Sequence, residues 1–418
     1  MRAIDILSPQ RFDVTAKTLY LKLEDYGFNT DFHRRLYEHH LNVWNGVREL
    51  NPPKVGIKAY TDSFKKISDD VRNDNFDFTK SPLLVCDGHL YNGSHRLASA
   101  IYHNKEAKYA NCKKHQGELM SCERFLNYKG KVPTGLGEDW ADAMTLEYVR
   151  VKKGESFVAT LFPRASGKDE QVEAILKKYG CKIIRKKNIN MTGPMPYNYM
   201  RQTYYGESWA GNKSNNYRGF RDKAKLCFGE KGGMTRVFVF ETKNPKSLPK
   251  CKKEIRDLYG IQNHSVHIND RHDETMRIAG MFFNKNSIQF LKRADLKPLD
   301  KFDNLFSKFV DWIYACQDEE KFCVDASAVL SAYGLRDCRD LDFLKSGVPC
   351  VDPSTEISRH NEEAKYYDRH IDEIIWNPNN HFYYCGIKFA TPEVMIAMKK
   401  KRNEEKDKTD VQLLKGIL

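Results

Sequence analysis

The chain has 418 residues, 69 Lys and Arg against 56 Asp and Glu, a formal net charge of +13 and 40% hydrophobic residues. That apolar content suffices for packed interiors and argues against a disordered chain, and the length predicts two or three domains. The basic surplus favours anionic partners (nucleotides, sugar phosphates, nucleic acid or an anionic membrane surface) without choosing among them. The 11 cysteines are scattered with no C-x-x-C pair, which speaks against a zinc ribbon and for free thiols in a reducing cytoplasm. The N-terminus lacks the apolar run and cleavage site of a secretory signal, and no stretch approaches the ~18 apolar residues of a spanning helix. A soluble, cytoplasmic protein with no membrane span is expected.

Residues 31–50 and 60–74 have the amphipathic spacing of helices. Leu83, Leu84 and Val85 then form an apolar strand that runs into Asp87-Gly88. The chain returns through Leu90 and Tyr91, and Gly93 opens a helix on which Leu97, Ala100 and Ile101 share a face. Glycine admits close approach of a ligand to the backbone, and the free N–H groups of a first helical turn attract anions. Ser94, His95 and Arg96 occupy that turn. Arg96 brings a planar fork suited to phosphate, and His95 can carry a proton or a hydrogen bond. The same residues also fit a tight turn, a helix cap at Ser94 and a surface arginine.

Asp87-Gly88 followed by Asn92-Gly93-Ser94-His95-Arg96-Leu97-Ala98 resembles the Gly-x-His-Arg signature of the ParB/sulfiredoxin superfamily, over about the first 110 residues. Members of that superfamily bind nucleotides through this turn and include a CTP-dependent DNA clamp, an ATP-using sulfinate reductase and a free-serine kinase. The resemblance implies ATP or CTP held at Asp87, Gly93, Ser94 and Arg96, with His95 and Arg96 in catalysis. It implies phosphate binding more firmly than any one reaction.

Gly, Pro, Lys and Asp enrichment over 129–139 predicts a domain boundary. Beyond it, 157–162 reads as a strand, 168–179 as a helix, 181–184 and 236–241 as strands, which suggests a small α/β domain. Within it, 191–225 mixes polar and aromatic residues, among them Tyr204, Trp209, Arg221 and Lys223. This segment is suited either to stack a base or sugar and hold phosphates, or to form a long surface loop tied down by aromatics. Further on, Lys252, Lys253 and Arg256 precede His267-x-x-Asp270-x-x-x-Glu274. A helix is expected from Asp270 to Phe283, with His267 at a strand end. Asp270 and Glu274, one turn apart, then bind a metal or form an acid/base pair beside a phosphate, or else simply cap the helix. Lys252 and Arg256 would supply positive charge for phosphate. The order of His267, Asp270 and Glu274 is similar to that in uncharacterised proteins of bacterial surface-polysaccharide gene sets.

A third region begins near Leu296. A short apolar strand leads into Asp325-Ala326-Ser327, a helix stops at Gly334, and Asp340-Leu341-Asp342-Phe343-Leu344 reads as a strand. Residues i and i+2 of a strand share a face, so Asp340 and Asp342 can share divalent metal ions that neutralise a transferring phosphate. An Asp-rich exposed strand end is the plainer alternative. The order of strand, Ser-containing turn, helix and Asp-Leu-Asp resembles the polymerase-β-type nucleotidyltransferase fold, as does the C-terminal stretch from Phe382 to Glu393 with Lys400, Arg402 and Asp407. The resemblance covers about residues 300–418 and implies that Ser327 holds a triphosphate while Asp340 and Asp342 hold Mg²⁺. Ala326 stands where that fold usually has Gly. The third carboxylate is unassigned, with Asp368, Asp372 and Glu373 as candidates. Residues 398–410 read as a solvated, charged helical face.

The architecture expected is thus α+β and multidomain. A ParB/sulfiredoxin-like domain (1–130) is followed by a central α/β domain (149–295) and a nucleotidyltransferase-like domain (296–418). The leading functional expectation is a cytosolic, Mg²⁺-dependent phosphoryl- or nucleotidyl-transferase acting on a small molecule or sugar in bacterial cell-surface polysaccharide biosynthesis. The alternatives are a nucleic-acid-binding protein with a ParB-like nucleotide-binding domain, and a non-catalytic scaffold built on relic folds.

Overall fold

The computed structural model describes residues 2–27, 30–50, 53–112, 119–129, 135–316, 319–348 and 350–418. The chain is α+β, with helix outweighing strand and several small sheets. It divides into two compact units: Met1–Ser156 with Lys182–Arg185, and Phe157–Cys181 with Lys186–Leu418. The central and C-terminal segments read as separate domains both fall in the second unit, and the first unit runs through the helix Glu138–Val151 to Ser156. Part of the boundary read at 129–139 lies outside the described residues. Among the described residues, no helix is long and apolar enough to cross a membrane.

In the first unit, Leu83–Cys86 is the middle strand of a three-stranded sheet, antiparallel to His89–Asn92 and parallel to Tyr109–Asn111. The hairpin turn is Asp87-Gly88, both at positive φ (49° and 76°), the conformation a two-residue turn demands for its twist to match the strands. Gly93, at φ 103°, ends the hairpin and opens the helix Ser94–Tyr102. A Cβ there would lie 2.9 Å from a methyl of Leu83 and 3.0 Å from the Arg96 guanidinium, so only glycine fits. Leu97, Ala98 and Ala100 of that helix are fully buried, and it packs on the helices Asp13–Tyr26 and Gly56–Arg72. Cys86 and Cys112, at the ends of neighbouring strands with Cα atoms 5.1 Å apart, form a disulfide, in contrast to the free thiols expected from spacing.

The second unit holds two sheets. One has four strands in the order Lys182–Met191, Gly233–Glu241, Ser156–Leu161, Val266–Ile268, with the last pair antiparallel and His267 opposite Thr160. The segment 191–225 is not a long loop. It forms the helices Met195–Thr203 and Arg218–Phe228, because Met195, Tyr199, Met200, Phe220 and Phe228 supply apolar faces that pack against each other and against the helix His272–Phe282.

The other sheet has five strands in the order Ile357–Arg359, Leu341–Lys345, Phe322–Val324, Ile387–Ala390, His381–Tyr384. Phe322–Val324 runs antiparallel to Leu341–Lys345 and parallel to Ile387–Ala390. Residues 398–410 are not a continuous solvated face. Asn403, at φ 58°, ends the helix Pro392–Arg402, and the chain reverses into Glu405–Lys415. The reversal buries Lys399 between Asp407 (3.2 Å) and Asp410 (2.8 Å), while Arg402 pairs with Asp407 and Arg336 with Asp410.

Candidate functional site

Within the first unit, a cavity of about 410 Å³ is lined by Asn92, Gly93, Ser94, His95 and Arg96 together with side chains from four further helices. The N–H groups of Ser94, His95 and Arg96 have no partner among the described residues, and Gly93 offers no capping side chain. They are the free donors expected of a helix start. Arg96 is anchored through Nη1, which donates to the carbonyl oxygens of Ser81 (2.8 Å) and Pro82 (2.9 Å). It has no carboxylate partner among the described residues, so Nε and Nη2 keep their donors for a ligand. Asp87, by contrast, sits in the exposed hairpin turn and does not line this cavity.

The cavity is also lined by a buried charge cluster. Asp13, 1% exposed, receives Arg11 at 2.9 and 3.0 Å and the Lys17 ammonium at 2.8 Å. Burial alone would raise the pKa of Asp13, but the charges of Arg11 and Lys17 prevail and hold it well below the usual carboxylate range. Nδ1 of His40 donates to the Tyr37 carbonyl (2.6 Å), which leaves Nε2 to accept from Lys17 (3.2 Å). Burial, then the charges of Lys17 and Lys54, hold the His95 pKa well below its ordinary value, so the ring is neutral at pH 7. Its Nε2 meets the Tyr37 hydroxyl at 2.9 Å. The cavity thus carries four cations, Arg11, Lys17, Lys54 and Arg96, against two carboxylates, Asp13 and Glu49. This surplus, joined to free backbone donors, is a setting for an anion. Sequence reasoning found the 93–96 turn but missed Arg11, Lys17 and Lys54. The i, i+4 pair Asp13 and Lys17 was the one local signal for them.

In the second unit, His267, Asp270, Glu274, Lys252 and Arg256 line one cavity of about 460 Å³. The helix there runs His272–Phe282 and starts two residues later than expected, so Asp270 lies in the turn before it. The Asn269 side chain sets this start. It accepts from the Val158 N–H (2.7 Å) and donates to the Arg271 carbonyl (2.9 Å), tying strand to helix. Glu274 reaches back to the Asp270 N–H (3.2 Å) with one oxygen and to His267 Nε2 (2.8 Å) with the other. Lys252 contacts Asp270 at 3.5 Å.

The third group of expected residues surrounds Asp325. Asp340 precedes the strand Leu341–Lys345, and its Oδ1 accepts from the Ser327 hydroxyl at 3.5 Å. Asp342 lies on the strand beside Asp325, whose N–H donates to the Asp342 carbonyl (3.0 Å). Asp325 is fully buried and receives the Tyr367 hydroxyl and His360 Nδ1 (2.9 Å). The carboxylate next to Asp342 is therefore Asp325, brought there by the antiparallel pairing of its strand. The sequence candidates are engaged elsewhere: Asp368 with Arg369 (2.7 and 2.9 Å), Asp372 with Ser346, and Glu373 with Asn377. Ala326 sits at φ 50°, a conformation that favours glycine. Among the described residues, no group of three or more His, Cys, Asp and Glu is arranged to hold a metal ion. The oxygens that suit Mg²⁺ in type are those of Asp340 and Asp342 and the buried Asp325 Oδ1, which has no hydrogen-bond partner.

Burial, then the charge of Asp325, pushes the Asp342 carboxyl up to about 7. A folded-state pKa above the unfolded value means that the protonated form stabilises the fold fully in acid, below the ordinary carboxylate range. This stability is lost as pH rises towards 7. Asp342→Asn, in EDTA-containing buffer, is accordingly expected to melt above wild type at pH 8, by about 3 °C or more, and by clearly less at pH 5. Equal melting temperatures at both pH values would contradict the burial of the Asp342 carboxyl beside Asp325.

No family model matches this chain, and no curated protein matches it.

Proposed function

We propose that the chain is a phosphoryl- or nucleotidyl-transferase acting on a small molecule or sugar, and that it holds ATP or CTP in the cavity of its first unit. The observation that carries this reading is the helix start at Gly93–Arg96. Three free N–H groups and an arginine without a carboxylate partner line a cavity whose lining also holds Arg11, Lys17 and Lys54. In this reading Ser94, Arg96 and the backbone at Gly93 grip the phosphates, and Lys17 and Lys54 offset their charge. His95, neutral and hydrogen-bonded to Tyr37, accepts or relays a proton rather than acting as a fixed cation. The resemblance of this turn to the ParB/sulfiredoxin superfamily supports the same reading.

The C-terminal sheet supports nucleotidyl transfer as a second chemistry. Ala326 keeps a glycine-like turn before Ser327, and Asp340 and Asp342 are the residues that would hold Mg²⁺. Bound there, Mg²⁺ would neutralise phosphate charge. The place in surface-polysaccharide assembly rests on the resemblance of the segment His267 to Glu274.

Turnover of ATP, CTP, GTP and UTP labelled in the α- or γ-phosphate, with Mg²⁺ and water as the acceptor, tests this. One nucleotide is expected to be hydrolysed slowly. Release of phosphate assigns phosphoryl transfer, and release of pyrophosphate assigns nucleotidyl transfer. Absence of turnover of all four would contradict the proposal.

A further inference from the structure

The cavity of the second unit carries an argument of its own, independent of the nucleotide reading above. Its lining has five cations, Lys223, Lys252, Arg256, Arg271 and Arg277, against three carboxylates, Glu207, Asp270 and Glu274. Glu274 takes His267, Asp270 pairs with Lys252 and Arg271 with Asp273, which leaves Lys223, Arg256 and Arg277 as the surplus. A metal cation is disfavoured in such a field, and an anion is favoured.

Two of the arginines have unused donors. Arg277 is 8% exposed, its nearest carboxylate oxygen is 3.9 Å away on Asp273, and its Nε has no hydrogen-bond partner. Nε of Arg256 is likewise buried and unpartnered. Neither guanidinium is spent on a close carboxylate, and a tetrahedral phosphate presents two oxygens to such a planar fork. Lys223 is held at the cavity by the Asn263 carbonyl (2.9 Å).

A hydrogen-bonded chain and an aromatic wall complete the cavity. With Glu274 ionised, His267 Nε2 carries the hydrogen it donates at 2.8 Å. In the neutral ring Nδ1 then accepts from the Tyr204 hydroxyl at 3.1 Å. Trp209 is 45% exposed and is held by edge contacts to Tyr204 and Phe220, with centroids 5.1 and 5.7 Å apart. A ring-bearing ligand can stack on such a side chain. The volume is within the ~300–1,000 Å³ typical of small-molecule sites.

We propose that this cavity is a second ligand site that binds a phosphomonoester with a ring-shaped body. The phosphate lies on Arg256, Arg277 and Lys223, the ring lies against Trp209, and the chain Tyr204–His267–Glu274 contacts the hydroxyl groups. A sugar phosphate and a nucleoside monophosphate share this chemistry.

Calorimetric titration of the full chain with glucose 1-phosphate, AMP, inorganic phosphate and glucose separates these sources. Glucose 1-phosphate or AMP is expected to bind more tightly than inorganic phosphate, with no heat from glucose. This binding is expected to survive in Arg96→Ala and to weaken at least tenfold in Arg256→Gln and in Lys223→Gln. Tighter binding of glucose 1-phosphate assigns a sugar phosphate, and tighter binding of AMP assigns a nucleotide. Thermal melts of each variant report folding, and Lys223→Gln decides the matter if Arg256→Gln does not fold. The proposal is overturned if neither phosphomonoester binds, or if their binding is unchanged in the folded variants.

Discussion

Asp13→Asn is expected to destabilise the first unit by about 3–5 kcal/mol, the cost of leaving buried charges unpaired. Asp13 is the common acceptor of Arg11 and Lys17, whose side chains are 6% and 4% exposed. Without its charge both cations stay buried, and His40 still presents only a neutral nitrogen to Lys17. Arg11 also donates to the Leu90 carbonyl at 2.8 Å, so the loss reaches the hairpin strand that leads into Gly93. Denaturant unfolding, read through the transition that belongs to the first unit, measures the effect. The pH dependence has a fixed sign. The Asp13 pKa is depressed in the fold, so its contribution is present above the ordinary carboxylate pKa and is lost as pH falls below it. Wild type should therefore lose stability in acid more steeply than the variant. A variant as stable as wild type at pH 7 would contradict the cluster as described.

Arg96→Ala is expected to weaken nucleotide binding by about 10–100-fold, the loss of one charge-assisted hydrogen bond or more to phosphate. Part of any effect comes from the anchor, because Nη1 also ties Ser81 and Pro82 to the helix start. Arg96→Lys separates the two contributions. It keeps a charge but not the fork, and it should bind nucleotide with an intermediate affinity. Unliganded Arg96→Ala should melt only a few degrees below wild type, since its site is half-buried and has no ion pair to lose. A large fall in unliganded stability together with unchanged nucleotide affinity would make Arg96 a structural clamp and nothing more.

The hairpin and helix around residues 83–102 were legible in the sequence because their signals are local. Asp87-Gly88 and Gly93 mark positive φ, and Leu97 and Ala100 mark the buried face. The grouping of His267, Asp270 and Glu274 was legible for the same reason, since a strand, the following turn and the first turn of the next helix supply one each. What the sequence hid depends on distant packing. Arg277 joins that cavity from further along the helix, and Tyr204 arrives from the end of a helix in a segment that reads as a surface loop or a base-stacking stretch. Asp325 displaced the expected third carboxylates because strand pairing, not spacing, sets the neighbour of Asp342. The charge run at 398–410 read as solvated, since nothing local announces that a reversal at Asn403 will bury Lys399 against Asp407 and Asp410.

The central claim is that the first-unit cavity binds a nucleotide, and thermal shift with ATP, CTP, GTP and UTP, each with and without Mg²⁺, tests it most directly. Wild type, Arg96→Ala and Asp340→Asn/Asp342→Asn are to be compared. The account predicts that one nucleotide stabilises wild type and the double aspartate variant but not Arg96→Ala. Stabilisation of the first unit's transition that is undiminished in Arg96→Ala, or no shift from any of the four nucleotides, would contradict it.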